Sequence, residues 1–197
     1  MKEQTLRDFG RYFVSINARC TRWDWAIDDY SRQLDIDTIY AHCESSRVSG
    51  FSNCKLIRAL DARTKKRGDC LYLGATSSDR ILRIYDKNVE SRGEINAIRV
   101  ELQARDTIAH SYFVDYFSTP EIGDRAQRTS MRAIGHYRFV EDTSEVLSRC
   151  PDVEWWADFV QRVGGRVKVA VRRLAPMLSD KKALGRASGR RNTVANI

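Results

Sequence analysis

Proline is rare in this chain, three residues in 197, so Pro-rich linkers are not expected. Its five cysteines (Cys20, Cys43, Cys54, Cys70 and Cys150) are odd in number, and no two stand in C-x-x-C spacing. That removes the usual zinc and redox motifs and leaves reduced, partly buried thiols, as in a cytosolic protein. The histidines, His42, His110 and His136, form neither H-x-H nor H-E-x-x-H, and no G-x-x-x-x-G-K phosphate loop is present. No apolar run approaches bilayer length, and "MKEQTLRDFGRYF" has no signal-peptide core. The expectation is a soluble, cytoplasmic protein with no membrane partner.

Charge is plentiful but unevenly placed. The net charge is +8. From Gln161 to Ile197 ten Lys or Arg face one acid, Asp180, giving that segment +9 and leaving −1 for everything before it. A basic end suggests an anionic partner, while a site in the neutral body has to be argued residue by residue. Hydrophobic residues make up 42% of the chain, enough for a packed core. The expected division is residues 1–163 as one folded domain and 164–197 as a basic, flexible segment.

Periodicity places the elements. "RWDWAIDDY" (22–30) alternates as a half-buried strand with Trp23, Trp25 and Ile27 on one face. "DIDTIYAHCESS" (35–46) reads as a helix capped by Asp35 or Asp37. Strands follow at 54–62, 69–75, 80–88 and 95–105, the last two joined as a hairpin through "VESRGE". Helical spacing begins at Asp106 or Thr107; "AIGHYRFV" (133–140) reads as a further strand and "PDVEWWADFVQRV" (151–163) as a helix. The fold class is α+β: a central antiparallel sheet, helices packed on one face, and an open polar face carrying the site.

The polar face is the informative one. In "RILRIYDK", alternation sends Leu82 and Ile84 to the core and Arg83, Tyr85 and Lys87 to the other side. The same rule adds Arg22, Asp24 and Asp28 from the first strand, and Arg99, Glu101, Gln103 and Arg105 from the last. Asp24, Glu101 and Asp28 offer oxygen ligands for a hard divalent cation such as Mg²⁺ or Mn²⁺. A phenol can attack phosphorus, and Arg or Lys can offset the growing charge. A plainer reading stands beside this one. Tyr85 is then a half-buried packing residue, Asp28 starts a turn, and Asp24 and Glu101 make cross-strand pairs with Arg99 or Arg83 worth about 0.2–1 kcal/mol each.

"RWDWAIDD", "YLGATSSDRILRIYDKNVE" and "IRVELQAR", in that order and spacing, resemble the replication initiation factor family. This family includes rolling-circle initiators of certain plasmids, replication proteins of filamentous phages and relaxases of integrative elements. The likeness implies a metal-dependent endonuclease and strand transferase that nicks one strand at a replication origin, single-stranded or extruded, in the cytoplasm of a bacterial host. It implies that Tyr85 is the nucleophile, leaving a 5′-phosphotyrosine adduct and a free 3′-OH. Lys87 and Arg83 match the basic positions beside the tyrosine, and Asp24 and Glu101 match the acidic metal-holding positions; Asp28 joins them as a candidate ligand by strand alternation alone. Arg22, Arg99 and Arg105 fall to DNA contact. A host helicase and a second copy of the chain are the further partners such an initiator implies. Members commonly carry more C-terminal structure, so the alternative is a truncated, non-catalytic DNA-binding or regulatory remnant. A structural domain with an ordinary packing tyrosine is a third, weaker reading.

Overall fold

A computed structural model describes residues 3–60, 62–63, 68–118 and 122–164. The basic segment expected from residue 164 onward lies outside these residues except for Gly164. Among the described residues no helix is long and apolar enough to cross a membrane.

In chain order the elements are α1 (Glu3–Ser15), β1 (Arg22–Asp29), α2 (Ile36–Glu44), β2 (Val48–Ser49), β3 (Cys54–Ile57), β4 (Cys70–Leu73), β5 (Arg80–Asp86), α3 (Lys87–Glu90), β6 (Ile98–Arg105), α4 (Asp106–Ser118), α5 (Ile122–Ile134), β7 (Arg138–Phe139) and α6 (Glu154–Gly164). Five strands form one antiparallel sheet in the order β1-β6-β5-β4-β3, and β2 pairs with β7 in a second, two-stranded sheet. The α+β architecture read from the sequence is the one observed.

The apolar phase of the strands makes the core. Leu71, Leu73, Leu82, Ile84, Val100, Leu102 and Ala104 are buried in one cluster with Ile39 of α2, Ala109 and Tyr112 of α4, Ile134 of α5, and Trp156 and Phe159 of α6. The helices therefore cover one side of the sheet. At its β1 edge Trp23 and Trp25 stack at 6.1 Å between centroids, and Tyr116 of α4 packs tilted against both. The Trp25 indole N–H donates to Ser130 Oγ at 3.0 Å, which satisfies a polar group that packing would otherwise strand.

Turns fix the register. Gly74 closes β4 at φ +115°, and a Cβ built there would stand 2.8 Å from the Arg80 carbonyl oxygen, so only glycine fits. Asp35 caps α2 by accepting from the Thr38 amide at 2.8 Å.

Several expected elements differ from the observed ones. The strand expected over 54–62 stops at Ile57, and that expected over 80–88 stops at Asp86. The Asp86 carboxylate accepts the Asn88 amide at 2.9 Å and starts α3, so Lys87 is helical and does not continue the face of Tyr85 by alternation. The strand expected over 133–140 shrinks to Arg138–Phe139 because Ala133 and Ile134 complete α5.

Candidate active site on the open face

The strand register turns the uncovered side of the sheet into rows. One row runs Lys55, Tyr72, Arg83, Glu101, Ala26 across β3, β4, β5, β6 and β1. The next runs Ile57, Cys70, Tyr85, Arg99, Asp28. A third brings Ile81, Gln103 and Asp24 together. Arg22 and Arg105 pair at the end of β1 and β6. Antiparallel neighbours on one face stand about 4.5–5.5 Å apart at Cβ, which is contact range for long side chains.

Tyr85 sits at the centre. Its hydroxyl donates to Glu101 Oε2 at 2.8 Å, and the other carboxylate oxygen of Glu101 takes the Arg83 guanidinium. Glu101 is thus shared between a phenol and a cation, with only 13% of its side chain exposed. Burial pushes the Tyr85 phenol up to about 12, and the neighbouring Glu101 charge pushes the same way while Arg99 opposes it. Arg99 is itself held by Asp28, its Nε at 2.6 Å and its Nη2 at 2.8 Å from the two carboxylate oxygens. That bidentate pair raises the Arg99 pKa and keeps the guanidinium pointing along the row. Burial is the largest single influence on Arg83 and lowers its pKa, but the bond to Glu101, the charge of Glu101 and the neighbouring Tyr85 and Tyr72 together outweigh it, and its pKa rises as well.

The remaining predicted residues fall around this centre. Arg22 embraces Asp24, with Nε 3.0 Å from Oδ2 and Nη2 2.8 Å from it, at the more exposed end of β1. Arg105 donates to the Thr76 carbonyl at 2.8 Å and so ties β6 to the β4–β5 turn. Lys87 pairs with Glu90 one turn along α3. It stands next to the site in sequence, but on a different element from Arg83 and Tyr85.

The carboxylates expected to hold a divalent cation have the right chemistry, but their placement differs from the expectation. Asp24 lies on Arg22, Asp28 on Arg99 and Glu101 on Arg83. Among the described residues no three His, Cys, Asp or Glu side chains converge on one point. As arranged, Asp24, Asp28 and Glu101 do not form a ligand set, because each negative charge already faces a guanidinium. The cross-strand pairing of Glu101 with Arg83 belongs to the plainer sequence reading, and that contact is present. Asp24 pairs within its own strand, not with Arg99 or Arg83. Asp28 lies within β1 and does not start a turn.

Two residues of this face escape a reading made strand by strand. Tyr72 and Cys70 of β4 share the open face because Tyr72 stands opposite Arg83 and Cys70 opposite Tyr85. Alternation in "CLYL" already gives them one phase; the missing information is that β4 is the neighbour of β5. Burial raises the Tyr72 phenol, as does a bond with Cys70, against the pull of Arg83. A second addition is Arg32, which clamps Asp86 with Nη2 2.7 Å from Oδ2 and holds that carboxyl below its usual range. This fixes the point where β5 ends, immediately after Tyr85.

The family model for the replication initiation factor matches residues 18–187. The chain belongs to that family. The solved structure of the rolling circle replication initiator protein from Geobacillus stearothermophilus superimposes with a TM-score of 0.60 at 27% identity, covering 74% of this chain and 56% of that one. The chain thus spans little more than half the length of that initiator. A search of curated proteins finds no match.

Proposed function

We propose that this replication initiation factor opens rolling-circle replication by nicking one DNA strand through Tyr85. The observation that carries the reading is the 2.8 Å bond from the Tyr85 hydroxyl to Glu101, within the distance at which a carboxylate can take a proton directly. The phenol proton passes to Glu101 as the phenolic oxygen attacks phosphorus. The Oη–P bond forms, the P–O3′ bond breaks, and the leaving 3′-oxygen takes up the proton that Glu101 has accepted, which returns Glu101 to its carboxylate form. The products are a 5′-phosphotyrosine adduct and a 3′-OH able to prime synthesis. The adduct keeps the energy of the phosphodiester, so the strand can be resealed without a nucleotide cofactor.

Arg83 and Arg99 flank the phenol and offset charge on the non-bridging oxygens. Arg22 and Arg105, further along β1 and β6, hold flanking phosphates of a single-stranded or extruded origin. Lys87 adds positive charge from the start of α3. The basic segment 164–197 adds sequence-independent attraction to DNA. The chemistry fits a protein acting in the cytoplasm of a bacterial host.

No step is assigned to a divalent cation, because each carboxylate that would hold one is bonded to an arginine. A cation dependence of the kind the family resemblance implies would require an arginine to yield its carboxylate.

The test incubates the full chain with end-labelled single-stranded oligonucleotides in Mg²⁺, in Mn²⁺ and in EDTA. An SDS-resistant protein–DNA adduct is expected, with loss of the Ile84–Lys87 phosphotyrosine peptide in Tyr85→Phe. An undiminished yield of that adduct in Tyr85→Phe overturns the tyrosine assignment. Salt-sensitive DNA binding with no adduct under any cation favours the second reading, a non-catalytic DNA-binding protein. The +9 charge of residues 161–197 is the observation behind that reading.

A further inference from the structure

We propose that Tyr72 is a second nucleophile in the same site, accepting a second DNA strand while Tyr85 is esterified; this rests on the nicking role given to Tyr85. Three observations meet here. Tyr72 and Tyr85 lie on adjacent strands and on the same uncovered face, in diagonal positions, since Tyr72 stands opposite Arg83 and Tyr85 two residues further along β5. Diagonal neighbours are about 7–8 Å apart, within reach of two phenols converging on neighbouring phosphates. Arg83 also serves both: it bonds Glu101, the acceptor for Tyr85, and stands directly beside Tyr72 in the row. A phosphate attacked by either phenol therefore meets the same guanidinium. Finally, β4 is an interior strand, so Tyr72 is held from both sides and not displayed on a loop. Lys55, exposed on β3, completes the row with a cation on its far side.

The chemistry explains why a second phenol is useful. A rolling circle needs two cleavages, one to begin and one to cut the displaced strand free. Once Tyr85 carries the first 5′-end it has no free oxygen with which to attack. Tyr72 then attacks the second phosphodiester: its Oη–P bond forms, the P–O3′ bond breaks, and the phenolic proton ends on the released 3′-oxygen. That 3′-OH attacks the Tyr85 adduct, closes one circle and frees Tyr85. The second 5′-end stays on Tyr72, and no redox partner or nucleotide enters the balance.

The sequence makes the experiment clean, because trypsin separates the two phenols into peptides Gly68–Arg80 and Ile84–Lys87. The full chain is first loaded with an oligonucleotide whose short 3′ product diffuses away, trapping the adduct. A second oligonucleotide with a different label follows, cut to an equally short 3′-OH product that also diffuses away, so that resealing does not discharge the Tyr85 adduct. The expected result is doubly labelled protein of one-chain mass, with the second label on Gly68–Arg80. The ratio of doubly to singly labelled protein should fall at least about tenfold in Tyr72→Phe, a change that keeps the ring and its packing. First label without a second one overturns the proposal for Tyr72 alone. A second label that persists in Tyr72→Phe, or that maps to Ile84–Lys87 of another chain, also overturns it. Absence of the first label in wild-type protein overturns the Tyr85 reading on which the proposal rests.

Discussion

Tyr85 binds its proton more tightly than a free phenol, whose pKa is about 10. Burial and Glu101 carry it to about 12. Glu101→Gln removes the charge but not the burial. Ultraviolet titration should therefore find Tyr85 ionising at lower pH in that variant, still above the free-phenol value, while nicking at neutral pH falls because the proton acceptor is gone. The sign for stability follows by linkage. Between the unfolded and folded pKa values the unfolded chain has released the proton and the folded one has not. Stability therefore drops as pH rises from about 10 to about 12, and chemical denaturation across that range should show a shallower drop in Glu101→Gln. Asp28→Ala leaves the Arg99 guanidinium, 19% exposed, without its bidentate partner. A loss of about 2 kcal/mol is expected from urea unfolding. The Tyr85 titration should move down as well, because the unpaired guanidinium turns to the phenol.

At the scale of elements the β4–β5 turn controls whether Tyr72 faces Arg83. Gly74→Ala forces a Cβ to 2.8 Å from the Arg80 carbonyl at a positive φ. It should cost more than about 1 kcal/mol, read as a lower denaturation midpoint. The strands of this sheet are legible in the sequence because Trp23-x-Trp25-x-Ile27 and Ile98-x-Val100-x-Leu102 alternate cleanly, and the same alternation puts Tyr85, Glu101, Asp24 and Asp28 on one side. Alternation does not report which strands are neighbours, so Tyr72 joins the site only once β4 is seen beside β5. Nor does it show which charge an acid will choose, so the arginine partners of Asp24 and Asp28 emerge only from side-chain positions. Lys87 leaves the strand phase for a local reason: Asp86 prefers to cap a helical turn over extending the strand. The helix α5 is hard to see because "IGDRAQRTSMRAI" is mostly polar, and its buried positions, Arg125 and Thr129 among them, are not all apolar.

For the molecule as a whole, charge and shape are divided between segments. The body supplies a site whose cations are almost all matched by acids; the excess lies beyond Gln161. Replacing Arg172, Arg173, Lys181 and Lys182 by Gln should weaken single-stranded DNA binding evenly across sequences. It should also flatten the dependence of log K on log salt by about 0.7 for each phosphate that is no longer neutralised, measured by anisotropy. The order of strands has a consequence for how the protein is made. β1 leaves the ribosome early, but among the described residues its sole neighbour in the sheet is β6, which ends at Arg105. Until then its paired indoles have no sheet to join, whereas β4, β5 and β6 can zip as successive neighbours. The phenol and its proton acceptor are thus assembled by short-range pairing, and the aspartate that restrains Arg99 arrives through a long-range one. Synthesis rate and chaperone supply, by setting how long β1 waits, will govern the yield of correctly closed sheet.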